Sequence, residues 1–212
     1  GAARDIPFAS EAGQIAVLAR RGGEHVVALV ERADCTLANG ANLAHDAQGR
    51  VDFDGVTPIL VEAAPDGIDE AALFSMGAAA RASQMAGALQ AILDISVEYA
   101  KERVAFERPI GKFQAVQHNL ARLAGEAAAS IAAAQSLAAR IERDNSFGDA
   151  VFVEVASAKI RVGEAAGEGA SIAHQTHGAI GFTNEHILHR YTMRLWSWRD
   201  QFGSESHWAV RL

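Results

Sequence analysis

The sequence predicts a mainly α protein, a four-helix up-and-down bundle preceded by a small remnant of an antiparallel β-domain. Before Pro65, short β-branched runs alternate with turn residues, which is typical of strands. After Pro65, apolar residues recur at spacings of three and four, which is typical of amphipathic helices. These later segments are also rich in alanine and glycine, so helix backbones can approach closely. We assign residues 1–64 to a partial β-domain and residues 65–212 to the helical bundle.

Three strands are predicted in the first part of the chain. Gln14–Arg20 and His25–Arg32 are β-branched runs, and the loop between them contains Gly22 and Gly23, which predicts a hairpin. Arg50–Asp54 alternates polar and apolar residues, as a strand with one solvated face does. Three strands leave sheet edges open, and open edges tend to pair with other strands. We therefore expect another chain or further sequence to complete this sheet.

The four predicted helices are unusually long. Asp66 or Asp69 is expected to cap the first and Asn184 the fourth, while Gly178 ends the third. The predicted ranges are Asp66 or Asp69 to about Glu102, Phe113 to Arg143, Asp149 to His177, and Asn184 to about Asp200. Helices of this length favour extensive contact between subunits.

Composition narrows the classes of function. The net charge of −7 argues against a nucleic-acid partner, because phosphate binding needs clustered Lys and Arg. Cys35 is the single cysteine, which excludes an internal disulfide and fits a reducing compartment; we expect it to be a small buried apolar residue. No apolar run approaches the ~20 residues of a membrane span, and the first residues carry no apolar signal-peptide core. A cytoplasmic protein is the expectation.

Several familiar catalytic patterns do not occur in the sequence. A di-iron bundle needs paired Glu-x-x-His motifs, and the nearest pattern, Glu185 and His189, has the wrong spacing and occurs once. We therefore predict no metal site. A Gly-x-Ser-x-Gly elbow, a Rossmann fingerprint and a P-loop are also missing.

Two segments between helices are unusual. Arg103–His118 places Arg103, Arg108 and Lys112 around a short turn before a long helix, which suits a pyrophosphate; the alternative is that these are solvated surface charges. Gln175–His186 contains two glycines three residues apart, which could bring bare backbone to a surface where a planar ligand lies. The alternative for this segment is a helix C-cap followed by an N-cap.

Together the two segments resemble the acyl-CoA dehydrogenase family. The first matches its motif "Tyr-Ala-x-x-Arg-x-x-Phe-Gly-x-x-Ile-x-x-Phe-Gln", with Glu107 in place of the glycine. The second matches "Gln-x-His/Leu-Gly-Gly/Ala-x-Gly-Phe-Thr-x-Glu-x-x-Leu-His-Arg" over Gln175–Arg190. The resemblance covers residues from about Pro65 to Leu212, and it includes the order and the spacing of both motifs.

The resemblance implies an FAD-dependent oxidoreductase that removes hydrogens from the α and β carbons of an acyl-CoA thioester. It also implies a homodimer or tetramer, or a heteromer with a longer acyl-CoA dehydrogenase chain, with FAD bound across a subunit interface. Carried over, the cofactor-binding residues are Arg103, Ala105 and Phe106 near the diphosphate, Phe113 and Gln114 near the adenine, and Gln175, Thr176, His177, Gly178 and Ala179 from the neighbouring subunit.

The sequence departs from the family at the catalytic base. The usual glutamate is matched by Phe202, and the alternative glutamate on the first bundle helix is matched by Gly77. A third variant places an aspartate where Ser204 stands, which leaves Glu205 as the one candidate base. The amino-terminal helical domain and the early β-strands of the family are also not part of this sequence. The alternative to an enzyme is therefore a non-catalytic subunit of the same fold, either FAD-contacting or purely structural.

Overall fold

A computed structural model describes residues 1–212. The chain divides into two compact units, Gly1–Leu73 and Phe74–Leu212. This division falls within the first turn of the first long helix, nine residues after the predicted boundary at residue 64. The predicted fold class is confirmed: a four-helix bundle follows a small antiparallel β-region.

The first unit contains two antiparallel sheets of three strands each, with strand orders β1-β5-β4 and β2-β3-β6. The strands are β1 (Ala2–Pro7), β2 (Gln14–Arg21), β3 (Glu24–Glu31), β4 (Thr36–Ala41), β5 (Ala47–Asp52) and β6 (Leu60–Ala63). The predicted hairpin is β2–β3, whose turn residues Gly22 and Gly23 have φ of 61° and 93°. Two positive φ values are what a two-residue hairpin turn requires.

The three strands that the sequence analysis missed, β1, β4 and β6, all lie at the edges of their sheets. Each of these three strands pairs on one side and is mostly exposed, so its sequence shows little alternation. In β4, for example, only Leu37 is partly buried. Cys35 is buried beside Val30 and Val51, as expected of an apolar residue, and burial raises the pKa of its thiol.

The second unit is the helical bundle, which begins within α1. The helices are α1 (Glu70–Glu102), α2 (Gln114–Asp144), α3 (Asp149–His177), α4 (Leu188–Asp200) and the short α5 (Glu205–Ala209), which was not predicted. Asp69 caps α1, since its Oδ1 accepts a hydrogen bond of 2.8 Å from the backbone N–H of Ala72. None of these helices combines the length and the apolar composition that crossing a membrane requires.

The predicted start of the fourth helix was wrong. Residues 178–182 form a 3₁₀ turn, and α4 begins at Leu188 instead of after Asn184. The first N–H of α4, that of Leu188, donates to Nδ1 of His186 at 3.1 Å. A histidine ring thus takes the capping role that the sequence analysis gave to an asparagine.

Close packing of the long helices is achieved with glycine. A Cβ placed on Gly169 of α3 would lie 2.7 Å from Cδ2 of Leu89 in α1 and 3.1 Å from Cδ1 of Leu123 in α2. At those distances the leucine methyl groups would have to move to admit a side chain, so glycine favours the close approach of the three helices here. The predicted role of small residues in the bundle is confirmed at this position.

Candidate functional site

The two motif segments meet at one end of the bundle. The hydroxyl of Tyr99, near the end of α1, donates to the carbonyl of His177 at 3.3 Å, and the two rings stack with centroids 4.3 Å apart. The amide Nδ2 of Asn119, near the start of α2, donates to Oε1 of Gln175 at 3.2 Å. The end of α1, the start of α2 and the end of α3 are therefore joined directly around both segments.

The first segment is a small hairpin, β7 (Val104–Ala105) and β8 (Arg108–Pro109). Its turn residues, Phe106 and Glu107, have φ of 51° and 66°. Both turn positions are therefore left-handed, which is unfavourable for side chains other than glycine. The ring of Phe106 is 90% exposed, so the turn holds a large apolar surface in solvent.

Replacing Glu107 with glycine is expected to stabilise the chain. A left-handed conformation costs an L-residue roughly 1–2 kcal/mol, and glycine avoids that cost while losing more entropy on folding. We expect Glu107→Gly to raise the free energy of unfolding by about 0.5–1 kcal/mol in urea titrations. Glu107→Ala is the matched control, because alanine keeps the strained φ, and equal stability of the two variants would refute the prediction.

The three cations of the first segment remain available to a ligand. Arg103, Arg108 and Lys112 are exposed, and none of them makes an ion pair. The guanidinium of Arg108 lies 4.2 Å from the centre of the Phe113 ring, which orients it beside the start of α2. Unpaired cations next to a helix N-terminus are a suitable environment for a phosphate.

The second segment presents bare backbone at Gly178. This residue has φ 65° and ψ −146°, a conformation reserved for glycine, and a Cβ built on it would meet no atom within 4 Å. Gln175 and Ala179 are exposed beside it, and Thr176 is partly buried with its hydroxyl donating to the carbonyl of Ile172. Gly178 therefore explains the end of α3 and also leaves an open surface for a ligand.

Two residues of the second segment face inward. His177 is 4% exposed, and its Nδ1 bonds the carbonyl of Ala173 at 2.8 Å. Gly181 is buried, and a Cβ there would lie 3.0 Å from the Cβ of His177, so it serves helix packing instead of presenting backbone at a surface as predicted. A ligand at this surface could contact the backbone of His177, but its imidazole is part of the bundle interior.

A cleft beside Gln175 was not predicted. It has a volume of about 410 Å³ and is lined by Gly167, Ser171, His174, Gln175, Phe182 and Trp196. His174 is 6% exposed, its ring stacks 3.9 Å from that of Phe182, and its Nε2 bonds the hydroxyl of Thr192 at 2.9 Å. Burial lowers the pKa of His174 and of His177, so both imidazoles are neutral at physiological pH. No local sequence pattern predicts this cleft, because its walls are formed by residues of α3, α4 and the turn between them.

The positions that the resemblance matched to a catalytic base lie against each other. A Cβ placed on Gly77 of α1 would be 2.2 Å from Cε1 of Phe202, so the phenyl ring fills the space that a side chain at position 77 would need. Phe202 has φ 54°, and its carbonyl accepts a hydrogen bond of 2.9 Å from Nε1 of the fully buried Trp208. Phe74 packs edge-on against the same ring at 5.9 Å. Both base positions are thus occupied by one apolar contact.

Glu205, the remaining candidate base, has a different partner. Its Oε1 accepts a hydrogen bond from Nε of Arg199 at 2.5 Å, and its side chain is only 16% exposed. A Cβ placed on Gly163 of α3 would lie 2.2 Å from the same oxygen, so the carboxylate is packed onto that helix. This hydrogen bond raises the pKa of Arg199, and Glu205 joins α5 to α4 through it.

Comparison with known proteins identifies the family of this chain. The family model described as acyl-CoA dehydrogenase, C-terminal domain, matches residues 68–199, which is more than half of the chain. This chain belongs to the acyl-CoA dehydrogenase family. The match includes both motif segments and ends three residues before Phe202.

The family members that the chain resembles are longer than it is. It is 37% identical over 113 residues to the acyl-CoA dehydrogenase IpdE2 of Mycobacterium tuberculosis, covering 53% of this chain and 33% of that protein. Its fold resembles a chain in the crystal structure of the ChsE4–ChsE5 complex of M. tuberculosis, with a TM-score of 0.87, 23% identity and coverage of 100% of this chain and 57% of that one. It also resembles an acyl-CoA dehydrogenase complexed with FAD from Bacillus anthracis, with a TM-score of 0.83, 19% identity and coverage of 99% and 40%. The chain thus spans about a third of its IpdE2 relative and little more than half of the ChsE chain.

Proposed function

We propose that this chain forms part of an FAD-dependent acyl-CoA dehydrogenase assembly that acts on an acyl-CoA thioester. The observation that carries the proposal is the position of both family motifs at one end of the bundle, joined by the contacts of Tyr99 with His177 and of Asn119 with Gln175. Bound FAD would supply the acceptor for the hydride that leaves the β-carbon of the substrate. The role of this chain would be to hold and orient that cofactor.

The residues at this end of the bundle suit FAD. Unpaired cations beside the start of α2 would attract the diphosphate, and the exposed ring of Phe106 offers an apolar face to the flavin or adenine. Open backbone at Gly178 would let the adenosine approach closely. The full set proposed to contact FAD is Arg103, Ala105, Phe106, Phe113, Gln114, Gln175, Thr176, His177 through its backbone, Gly178 and Ala179. We propose that Gln175–Ala179 contacts the FAD of a neighbouring subunit.

A second candidate function is a non-catalytic subunit that contacts FAD. The observation that favours it is the contact of Phe202 with Gly77, which leaves both base positions without a proton acceptor. Removal of the weakly acidic α-proton requires a base held close to the substrate, so a longer acyl-CoA dehydrogenase chain would supply it in a heteromer. A homodimer or tetramer is the alternative assembly. The single buried cysteine supports the proposal that this assembly works in the cytoplasm.

Charge reversal at Arg103 tests the FAD proposal. We expect the chain, purified with the family chains encoded beside it, to show visible flavin absorbance and quenched flavin fluorescence. Arg103→Glu is expected to weaken FAD binding about 10- to 100-fold, because it replaces a charged contact with repulsion. The matched control is Arg143→Glu at the opposite end of α2, where we expect less than about a twofold change. Preparations without flavin, or equal effects of the two variants, would refute the proposal.

A further inference from the structure

Lys159, in the middle of α3, makes an unusual set of hydrogen bonds. Its side chain is 1% exposed, and its Nζ donates to the carbonyls of Trp198, Arg199 and Gln201 at 3.2, 3.0 and 2.9 Å. The last carbonyls of a helix have no partners within the helix, and here one ammonium bonds three carbonyls at the end of α4 and in the turn after it. A cation in this position also interacts favourably with the helix dipole.

Three charged groups on neighbouring helices interact with Lys159. Glu205 of α5 and Asp200 of α4 attract the ammonium, whereas Arg81 of α1 repels it. Arg199 is paired with Glu205, which keeps that carboxylate beside Lys159. Burial lowers the pKa of Lys159 to about 8, so the side chain is mostly an ammonium at neutral pH.

The turn that follows α4 is strained. Phe202 and Gly203 have φ of 54° and 89°, and a phenylalanine in the left-handed region persists only when its surroundings hold it there. The carbonyl of Gln201, directly before Phe202, is the nearest of the three acceptors of Lys159. On the other side, Trp208 donates to the carbonyl of Phe202. Lys159 and Trp208 therefore anchor the turn on both sides of the residue that lies against Gly77.

We infer that Lys159 is a positioning residue for the turn 201–204, which it fixes through the three carbonyls so that residue 202 points at position 77. The inference deepens the proposed function, because this turn carries the position matched to the catalytic base. A lysine that merely stabilised the bundle would act on all helices alike. A positioning lysine acts on the turn, and this difference can be measured.

Hydrogen exchange separates the two roles. Lys159→Met keeps the length and apolar stem of the side chain but removes its donors. We expect amide exchange at Trp208, whose backbone N–H donates to the carbonyl of Ser204 in the turn, to become at least about tenfold faster, with unchanged exchange in the middle of α1. Arg161→Met is the matched control on the same helix, since it removes ion pairs with Glu126 and Glu164 that do not involve the turn. Unchanged exchange at the Trp208 amide, or a uniform increase throughout the bundle, overturns the inference.

A second measurement uses the unaltered chain, in case the methionine variant does not fold. The indole N–H of Trp208 bonds the turn directly, so its NMR resonance reports on Phe202. Raising the pH past the Lys159 pKa of about 8 removes one of its three donors, and we expect the Trp208 resonance to shift with that midpoint while the resonance of Trp196 stays constant. A Trp208 resonance that does not titrate in this range overturns the inference. Neither measurement involves flavin, so the inference can hold even if the FAD proposal fails.

Discussion

Gly77→Val is expected to destabilise the bundle by about 3 kcal/mol, because its side chain would overlap the ring of Phe202. In a Phe202→Ala background the same substitution is expected to cost less than about 1 kcal/mol, since the removed ring leaves room for valine. Urea unfolding of the four proteins in this cycle measures the coupling between the two positions. A coupling of about 2 kcal/mol would show that one apolar contact fills both positions matched to a catalytic base.

The matched control is Gly87→Val, on the same helix. A Cβ at Gly87 would meet no atom within 4 Å, so valine there changes only helix propensity, and we expect a small effect. If Gly77→Val and Gly87→Val cost the same, or if Gly77→Val costs as much without the Phe202 ring as with it, the assignment of the contact is wrong. The functional consequence would then also change, because space would remain at these positions for a proton acceptor.

Gly178→Val is expected to abolish flavin retention, with a loss in FAD affinity of more than about 100-fold. Valine would place a branched side chain on the open surface where we propose that the adenosine lies, and it would disfavour φ of 65°. Helical circular dichroism should stay the same, because Gly178 lies beyond the last residue of α3. Flavin absorbance of the purified assembly before and after gel filtration measures the loss.

The control for backbone strain is Gly55→Val in the first unit. Gly55 has φ of 72°, and a Cβ placed on it would also meet no atom within 4 Å, so valine there is also forced into a positive φ but lies outside the motif segments. Flavin retention in Gly55→Val should match that of the unaltered chain. If both variants lose flavin equally, general destabilisation explains the result and Gly178 has no place in the cofactor site.

Local patterns were sufficient for the helices and for the strongest strands. The bounds of α3, Asp149–His177, agree with the prediction, because an N-terminal aspartate and a C-terminal glycine act within one turn of the helix. The β2–β3 hairpin was predictable for the same reason, since Gly22 and Gly23 define its turn. The edge strands β1, β4 and β6 were not predictable, because they are mostly exposed and their sequences carry little periodicity.

The candidate site, like the fold, was predicted from the sequence only in part. Its two motif segments were found from residue order and spacing. In the structure Phe106 is exposed and the surface at Gly178 is open, and the ligand role of both stays a prediction. The burial of the His177 imidazole could not be predicted, because it depends on Tyr99, which lies in another helix. The cleft beside Gln175 was not predicted, because its walls are formed by residues of α3 and α4 that are far apart in the sequence.

The sequence therefore specifies the helical class, the family and the two motif segments through signals that each act over a few positions of the chain. Three contacts were decided only by the tertiary packing. Phe202 lies against Gly77, Glu205 lies beside Arg199 and Gly163, and Lys159 bonds carbonyls at the end of α4. Each of these contacts involves helices or turns that no local periodicity relates to one another. Such pairings arise from side-chain volume and buried charge, which act only after the helices have come together.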